Sequence, residues 1–226
     1  MKQTHDVDRR VMLQKCLACA AALSFTGGAP RMAKAQSSLG PRESLARLRE
    51  GNQRFTEHRL TSFNDDLSIL RNKTLEKQEP FAAILACADS RVPVEILFDQ
   101  TIGHLFVARV AGNFATSDVI ASLEYAVSVL ETKLVVVLGH RNCGAVKAGI
   151  GGKAVPGQIS TLYPYLRPAI IKAGTDVEEV TRQNARIQAD LLRQTSTEIS
   201  TLVKTKQVEV VSAYYDVADG KVTFLD

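Results

Sequence analysis

Apolar residues along this chain fall into two rhythms. Near-continuous apolar runs occupy residues 81–87 (Phe-Ala-Ala-Ile-Leu-Ala-Cys), 105–110 and 134–138 (Leu-Val-Val-Val-Leu), each too short for a free helix. Such runs predict strands buried on both faces. Helical spacing governs residues 43–55, where Leu45, Leu48 and Phe55 interleave with charges, and also 117–130, 159–173 and 177–200. Residues 143–150 read as a short helix closed by the Gly151-Gly152 break, and Gly139 reads as the end of the 134–138 strand. Two last strands, 208–215 and 222–225, flank an Asp219-Gly220 turn. Strands alternating with helices predict an α/β fold, a mostly parallel central sheet flanked by helices. Ligands of such sheets gather at the carboxyl ends of the strands. Cys87 ends one run and His140 lies just past another, so the fold can bring them together.

Composition changes little of this picture but relocates the charge. The 226 residues suit one domain with a substantial core, at 45% hydrophobic and 23% charged residues. The formal charge is +4. Of 28 basic and 24 acidic side chains, six and two lie within residues 1–35, leaving 22 of each beyond. The basic surplus belongs to the start of the chain and gives no reason to expect nucleic acid as a partner. That start carries Arg9-Arg10, then Val11-Met12-Leu13, a short apolar run over 16–25, and Ala33 and Ala35 around Lys34. This order predicts an export signal cleaved after Ala35. It resembles the twin-arginine type, although Asp8 stands where Ser or Thr is commoner. The alternatives are a Sec signal, an uncleaved amphipathic start, or a lipoprotein leader using Cys19; Cys16 in place of the lipobox Leu weakens the last. The run is too short for a transmembrane helix. The expected organisation is an export signal over 1–35, a flexible junction over 36–42 and a catalytic domain over 43–226, placed in the bacterial periplasm. Cys16 and Cys19 leave with the signal, so the mature chain keeps only Cys87 and Cys143. In an oxidising compartment such a pair usually reads as a disulfide. If both bind metal instead, export after folding lets zinc load while the thiols are reduced.

Two clusters carry the candidate chemistry: Cys87-Ala88-Asp89-Ser90-Arg91 and His140-Arg141-Asn142-Cys143. Two thiolates and an imidazole suit Zn2+, and three protein ligands leave a fourth tetrahedral position for water, as in a catalytic site. Singly, Cys87 reads as a small buried hydrophobe and His140 as a loop histidine; together the ligand set stands out. Two anionic sulfurs make the metal a weak Lewis acid, so its water needs further help. Asp89 is placed to accept a hydrogen bond from that water, with Arg91 pairing it bidentately. The plainer alternatives are that Asp89 caps a helix, that Arg91 is a structural ion pair, or that Asp89 closes the zinc shell itself.

The motifs Cys-Ala-Asp-Ser-Arg-Val-Pro and His-Arg-Asn-Cys-Gly-Ala resemble those of the β-class carbonic anhydrases, over about residues 43–226. The resemblance implies an α/β zinc enzyme that interconverts CO2 and bicarbonate by hydroxide formed at the metal, one Zn2+ per subunit, in dimers or higher homo-oligomers. It implies Cys87, His140 and Cys143 as zinc ligands, and Asp89 and Arg91 as the catalytic dyad. The plant-type pocket positions fall on Gln78, Phe106 and Tyr125, implying a bicarbonate hydrogen bond from the first and an apolar wall for CO2 from the other two. Members with an inhibitory bicarbonate site place Trp three residues before the first zinc cysteine. This chain has Ile84 there, which predicts hyperbolic kinetics. His58 and His104, the other histidines beyond the leader, read as ordinary loop or surface residues, and no proton shuttle is identified.

Two rival functions share these residues. A COS or CS2 hydrolase uses the same ligands and dyad with a different access to the pocket. A non-catalytic zinc or thiol sensor would join Cys87 to Cys143 and eject the metal. The Gly-rich stretch 149–152 lacks the Gly-x-Gly-x-x-Gly pattern after a strand and is not a dinucleotide site.

Overall fold

A computed structural model of the chain describes residues 38–62, 75 and 77–225, so the export signal expected over 1–35 lies outside the described residues. Five strands, β1 (Ala82–Ala86), β2 (Leu105–Arg109), β3 (Leu134–His140), β4 (Glu209–Tyr215) and β5 (Val222–Phe224), form one sheet in the order β2-β1-β3-β4-β5. The first three pairings are parallel, and β5 returns antiparallel to β4. Around the sheet lie α1 (Pro41–Thr56), α2 (Val94–Leu97), α3 (Ser117–Glu124), α4 (Gly144–Gly151), α5 (Tyr163–Ala173), α6 (Val177–Thr195) and α7 (Thr197–Lys204). The fold is thus the mostly parallel, helix-flanked sheet that the alternating pattern predicts.

β1 and β3 are buried at every position, which is why their sequences read as unbroken apolar runs. Alternate residues feed opposite layers. Ala82, Ile84, Ala86, Leu134, Val136 and Leu138 pack with Leu48 of α1. Ala83, Leu85, Val135 and Val137 pack with Leu123 of α3 and with Ala185, Ala189 and Leu192 of α6. Each fully buried Leu or Ile contributes roughly 2 kcal/mol relative to exposure. A third cluster at the carboxyl end joins Cys87, Phe114, Cys143, Val146, Leu166, Ala169 and Val180.

Several element boundaries differ from the sequence expectation, each for a local reason. Gly139 does not end β3; the strand runs through it to His140, which is its last residue rather than a residue beyond it. A Cβ on Gly139 would lie 2.8 Å from Thr181 Cγ2, so the missing side chain lets α6 lie close against the strand. The helical stretch 177–200 breaks at Ser196, whose hydroxyl accepts from Ile199 N at 3.0 Å and donates to Glu124 Oε1 at 2.7 Å, capping a separate α7. The helix over 117–130 widens into a π-helical turn at Tyr125–Val129. Residues 159–173 divide into a 3-10 turn, Ile159–Leu162, and α5. The four-residue α2 was too short for periodicity to show. Among the described residues, no helix is long and apolar enough to cross a membrane.

Candidate metal centre

β1 and β3 are hydrogen-bonded neighbours, and each delivers its ligand at the carboxyl edge. Cys87 follows the last residue of β1, and His140 is the last residue of β3. After His140, Arg141 N donates to Tyr215 O at 2.8 Å, and Asn142 takes a left-handed φ of 59°. That turn brings Cys143 to the N-cap of α4. The ligand atoms of Cys87, His140 and Cys143 all lie within 4.8 Å of one another, and all three residues are buried. The two sulfurs are 4.0 Å apart.

A metal ion fits this set. His140 is fully buried; its Nδ1 lies 3.0 Å from Arg141 O, while its Nε2 has no hydrogen-bond partner. A buried polar nitrogen left without a partner costs stability unless something else satisfies it. With Nδ1–H donated to the carbonyl, the Nε2 lone pair faces the two sulfurs, an arrangement usual for metal-ligating histidines. The Cys143 thiol, with further help from His140 and the Gly112 N–H, pulls the Cys87 thiol down against the opposing effect of burial. Cys143 is pushed up by the Cys87 sulfur beside it and by burial. A bound cation would favour the thiolate form of both sulfurs.

Asp89 and Arg91, expected as a dyad beside the ligands, form a closed ion pair. Arg91 Nε donates to Asp89 Oδ1 at 2.9 Å and Nη2 to Oδ2 at 2.7 Å, while Arg91 N also donates to Oδ1 at 2.9 Å. Arg91 thereby holds the Asp89 carboxyl well below the usual carboxylate range. Asp89 Oδ2 lies 3.9 Å from the unpartnered His140 Nε2, so an ionised acceptor stands at the rim of the ligand cluster. Arg91 Nη2 also reaches Asn142 O at 3.4 Å, linking the two ligand loops.

The three pocket positions lie elsewhere in the chain. Phe106 and Tyr125 do meet, with ring centroids 6.4 Å apart. Phe106, however, is in register with Ala83, four positions before Cys87, or about 13 Å along the strand at a usual strand rise. Gln78 is exposed, ahead of β1. The backbone of Phe106 therefore stands well short of the carboxyl edge where Cys87 lies. His104 lies at the amino end of β2, its Nδ1 3.1 Å from Arg47 Nη2, and His58 follows α1 with a φ of 57°.

Sequence reasoning missed the residues that hold the loops. Arg109, at the end of β2, donates from Nε to Cys87 O at 2.9 Å and from Nη2 to Asp89 O at 2.6 Å, satisfying carbonyls that the sheet no longer pairs. Glu178 of α6 accepts from Asn142 N at 3.1 Å. Gly112 N donates to Cys87 Sγ at 3.3 Å, and Asn184 Nδ2 donates to Gly112 O at 2.9 Å. The available signal was a polar residue at a buried-face position of α6, where Asn184 and Gln188 interrupt an otherwise mostly apolar stripe.

Comparison with known proteins agrees with the geometry. The sequence profile described as carbonic anhydrase matches residues 82–222. A carbonic anhydrase of Mycolicibacterium smegmatis is 37% identical over 184 residues, covering 77% of this chain and 88% of that protein. Carbonic anhydrase 2 of Mycobacterium tuberculosis is 34% identical over 187 residues, covering 79% and 90%. Among solved structures, a Coccomyxa β-carbonic anhydrase in complex with acetazolamide superposes with a TM-score of 0.63 at 27% identity, covering 80% of this chain and 86% of that one. A tetrameric β-carbonic anhydrase of Sordaria macrospora shares the fold, with a TM-score of 0.65 at 22% identity over 78% of this chain and 93% of that one. With the Cys-His-Cys cluster and the Asp-Arg pair at the carboxyl edge of a parallel sheet, these matches place the chain in the β-class carbonic anhydrase family.

Proposed function

We propose that this carbonic anhydrase catalyses the reversible hydration of CO2 to bicarbonate and a proton, with Zn2+ held by Cys87, His140 and Cys143. The observation that carries this reading is the unpartnered Nε2 of His140, 3.9 Å from a carboxylate that Arg91 keeps ionised. When bound, zinc supplies the Lewis-acidic charge that makes a water nucleophilic near neutral pH. Asp89 accepts a hydrogen bond from the attacking water and turns its lone pair toward the carbon of CO2. Arg91 fixes the carboxylate by its fork and withholds the proton from it. Because both Asp89 oxygens are engaged with Arg91, the carboxylate is held back from joining the ligand set.

The pocket wall is proposed to come from a second copy of the chain. β2 is an edge strand of the sheet; its Leu105, Phe106, Val107 and Ala108 are only half-buried, and Tyr125 is 39% exposed. A partner seated there would bury this edge and bring its own Gln78, Phe106 and Tyr125 to the site. Residues 1–35 are proposed as a cleaved twin-arginine signal for export to the periplasm, supported by Arg9-Arg10, the apolar run and Ala33-Lys34-Ala35.

The test is stopped-flow CO2 hydration by metal-analysed protein, wild type and Asp89→Asn. Rapid hydration at full zinc occupancy, falling roughly 10²- to 10⁴-fold in the variant, supports the reading. Full zinc with no hydration overturns it. COS turnover under the same conditions without CO2 hydration assigns the site to the hydrolase instead, and zinc loss with both thiols oxidised assigns it to the sensor.

A further inference from the structure

Asn184 is fully buried on a helix face that otherwise packs Val180, Ala185, Ala189 and Leu192 against the sheet and its loops. A buried amide in such a stripe is costly unless its hydrogen bonds are made, and here both ends are used. Its Nδ2 donates to Gly112 O at 2.9 Å, and its Oδ1 accepts from Gln188 Nε2 at 3.4 Å. Gln188, one turn on, takes Ala115 N on Oε1 at 3.0 Å. Two side chains of α6 therefore hold both ends of the loop 112–115.

That loop has little bonding of its own. Gly112 and Asn113 are successive left-handed residues, with φ of 93° and 43°; Asn113 N donates to Val110 O at 2.9 Å, while its buried side-chain amide makes no hydrogen bond at either end. A Cβ at Gly112 would lie 3.3 to 3.4 Å from Leu166, Ala145 and Phe114, so the backbone itself approaches the core here. From this position Gly112 N–H points at Cys87 Sγ, 3.3 Å away.

We infer that Asn184 is a positioning residue for the metal centre. Through the Gly112 backbone it aims an N–H at Cys87 Sγ and so limits the charge that sulfur gives to the metal. The inference rests on the zinc reading above and answers a difficulty in it, since two thiolates leave the metal a weak Lewis acid. An N–H···S hydrogen bond draws density from the sulfur and restores part of the positive charge at the metal.

The experiment uses the whole protein with its zinc replaced by cobalt, and separately by an NMR-active cadmium isotope. In the wild type, a sulfur-to-cobalt charge-transfer band reports the thiolate ligands, and a through-hydrogen-bond coupling between the Gly112 amide proton and cadmium is expected. In Asn184→Leu that coupling disappears and the band moves to longer wavelength. The midpoint of the pH–rate profile of the zinc form rises, and kcat/KM at neutral pH falls about tenfold. Gln188→Met shifts each readout the same way by a smaller amount, and carries the test if Asn184→Leu does not fold. No sulfur-to-cobalt band in the wild type defeats the metal reading itself. A normal band with no Gly112 coupling, or variants that leave band and midpoint unmoved, overturns the role of Asn184.

Discussion

Two aspartates in this chain each pair with an arginine and serve different ends. Asp99 is 3% exposed; it accepts from Arg54 Nε at 2.5 Å, from Thr61 N and Oγ1 at 2.9 and 2.8 Å, and from Ser62 N at 2.8 Å. Burial pushes its carboxyl up, but Arg54, Ser62 and Thr61 together hold it well below the usual range. Asp89 is held low as well, by Arg91. A depressed carboxyl therefore does not mark a functional site. What separates the two is the neighbourhood: Asp99 ties the segment after α1 to the rest of the fold and its partners are spent on each other, whereas Asp89 faces a buried imidazole nitrogen with no partner. The site is recognised by an unpartnered imidazole nitrogen set among two thiols and an ionised carboxylate.

The largest effect belongs to the ligands. Cys143→Ser is expected to lose stoichiometric zinc and at least about 10³-fold of the hydration rate, while circular dichroism keeps the α/β signature. Retained zinc and rate would remove Cys143 from the metal set.

Exchanging charge for amide at the two aspartates should give opposite results. Asp89→Asn is expected to cost activity heavily and urea stability little, because its carboxylate sits at the edge of the fold. Asp99→Asn should leave kcat/KM within about threefold of wild type yet lose roughly 2–3 kcal/mol in urea unfolding, as a buried guanidinium-paired acceptor is weakened. Asn tolerates the left-handed φ of 46° at position 99, so backbone strain does not confuse the result. If Asp99→Asn silences the enzyme with stability intact, the contrast between the two sites fails.

The same pair predicts a pH signature. The folded carboxyl of Asp99 lies below its unfolded value, so the folded state binds its proton less readily. Its contribution is fully present above the unfolded carboxylate range near pH 4 and is lost as pH falls through the lower folded value. The stability difference between wild type and Asp99→Asn should then be flat from about pH 5 to 7 and narrow below about pH 4. Urea titrations at each pH measure it, and a gap that widens on acidification contradicts the assignment.

Much of this was legible in the sequence, for identifiable reasons. Strands buried on both faces announce themselves as apolar runs, so β1 and β3 were found and the strand-end positions of Cys87 and His140 followed. Ligands and dyad carry their chemistry in residue type and spacing. Gly139 misled because its absent side chain serves the approach of Thr181 rather than a turn. Ser196 broke a helix that periodicity joined, because a cap is a single residue and periodicity averages over many. Phe106 and Tyr125 were matched by spacing to a pocket, but spacing does not say that strand register puts Phe106 four positions short of the metal edge. Arg109 and Asn184 act on backbone carbonyls, and no side-chain motif records such a contact.

The smallest expected effect is an absence that the core makes physical. Ile84 is fully buried, opposite Val107 and Val136 in the neighbouring strands. It belongs to the layer formed with Leu134, Val136 and Leu48, so its side chain is used in packing and offers no donor to an anion. A regulatory bicarbonate would have to displace apolar contacts without gaining a hydrogen bond from this position, which burial makes unfavourable. Initial rates of bicarbonate dehydration should therefore rise hyperbolically with substrate across the working pH range. A sigmoidal curve would show that unsatisfied polar groups near β1 extend beyond the metal cluster, and that the line drawn between Asp89 and Asp99 has been drawn too close to the zinc.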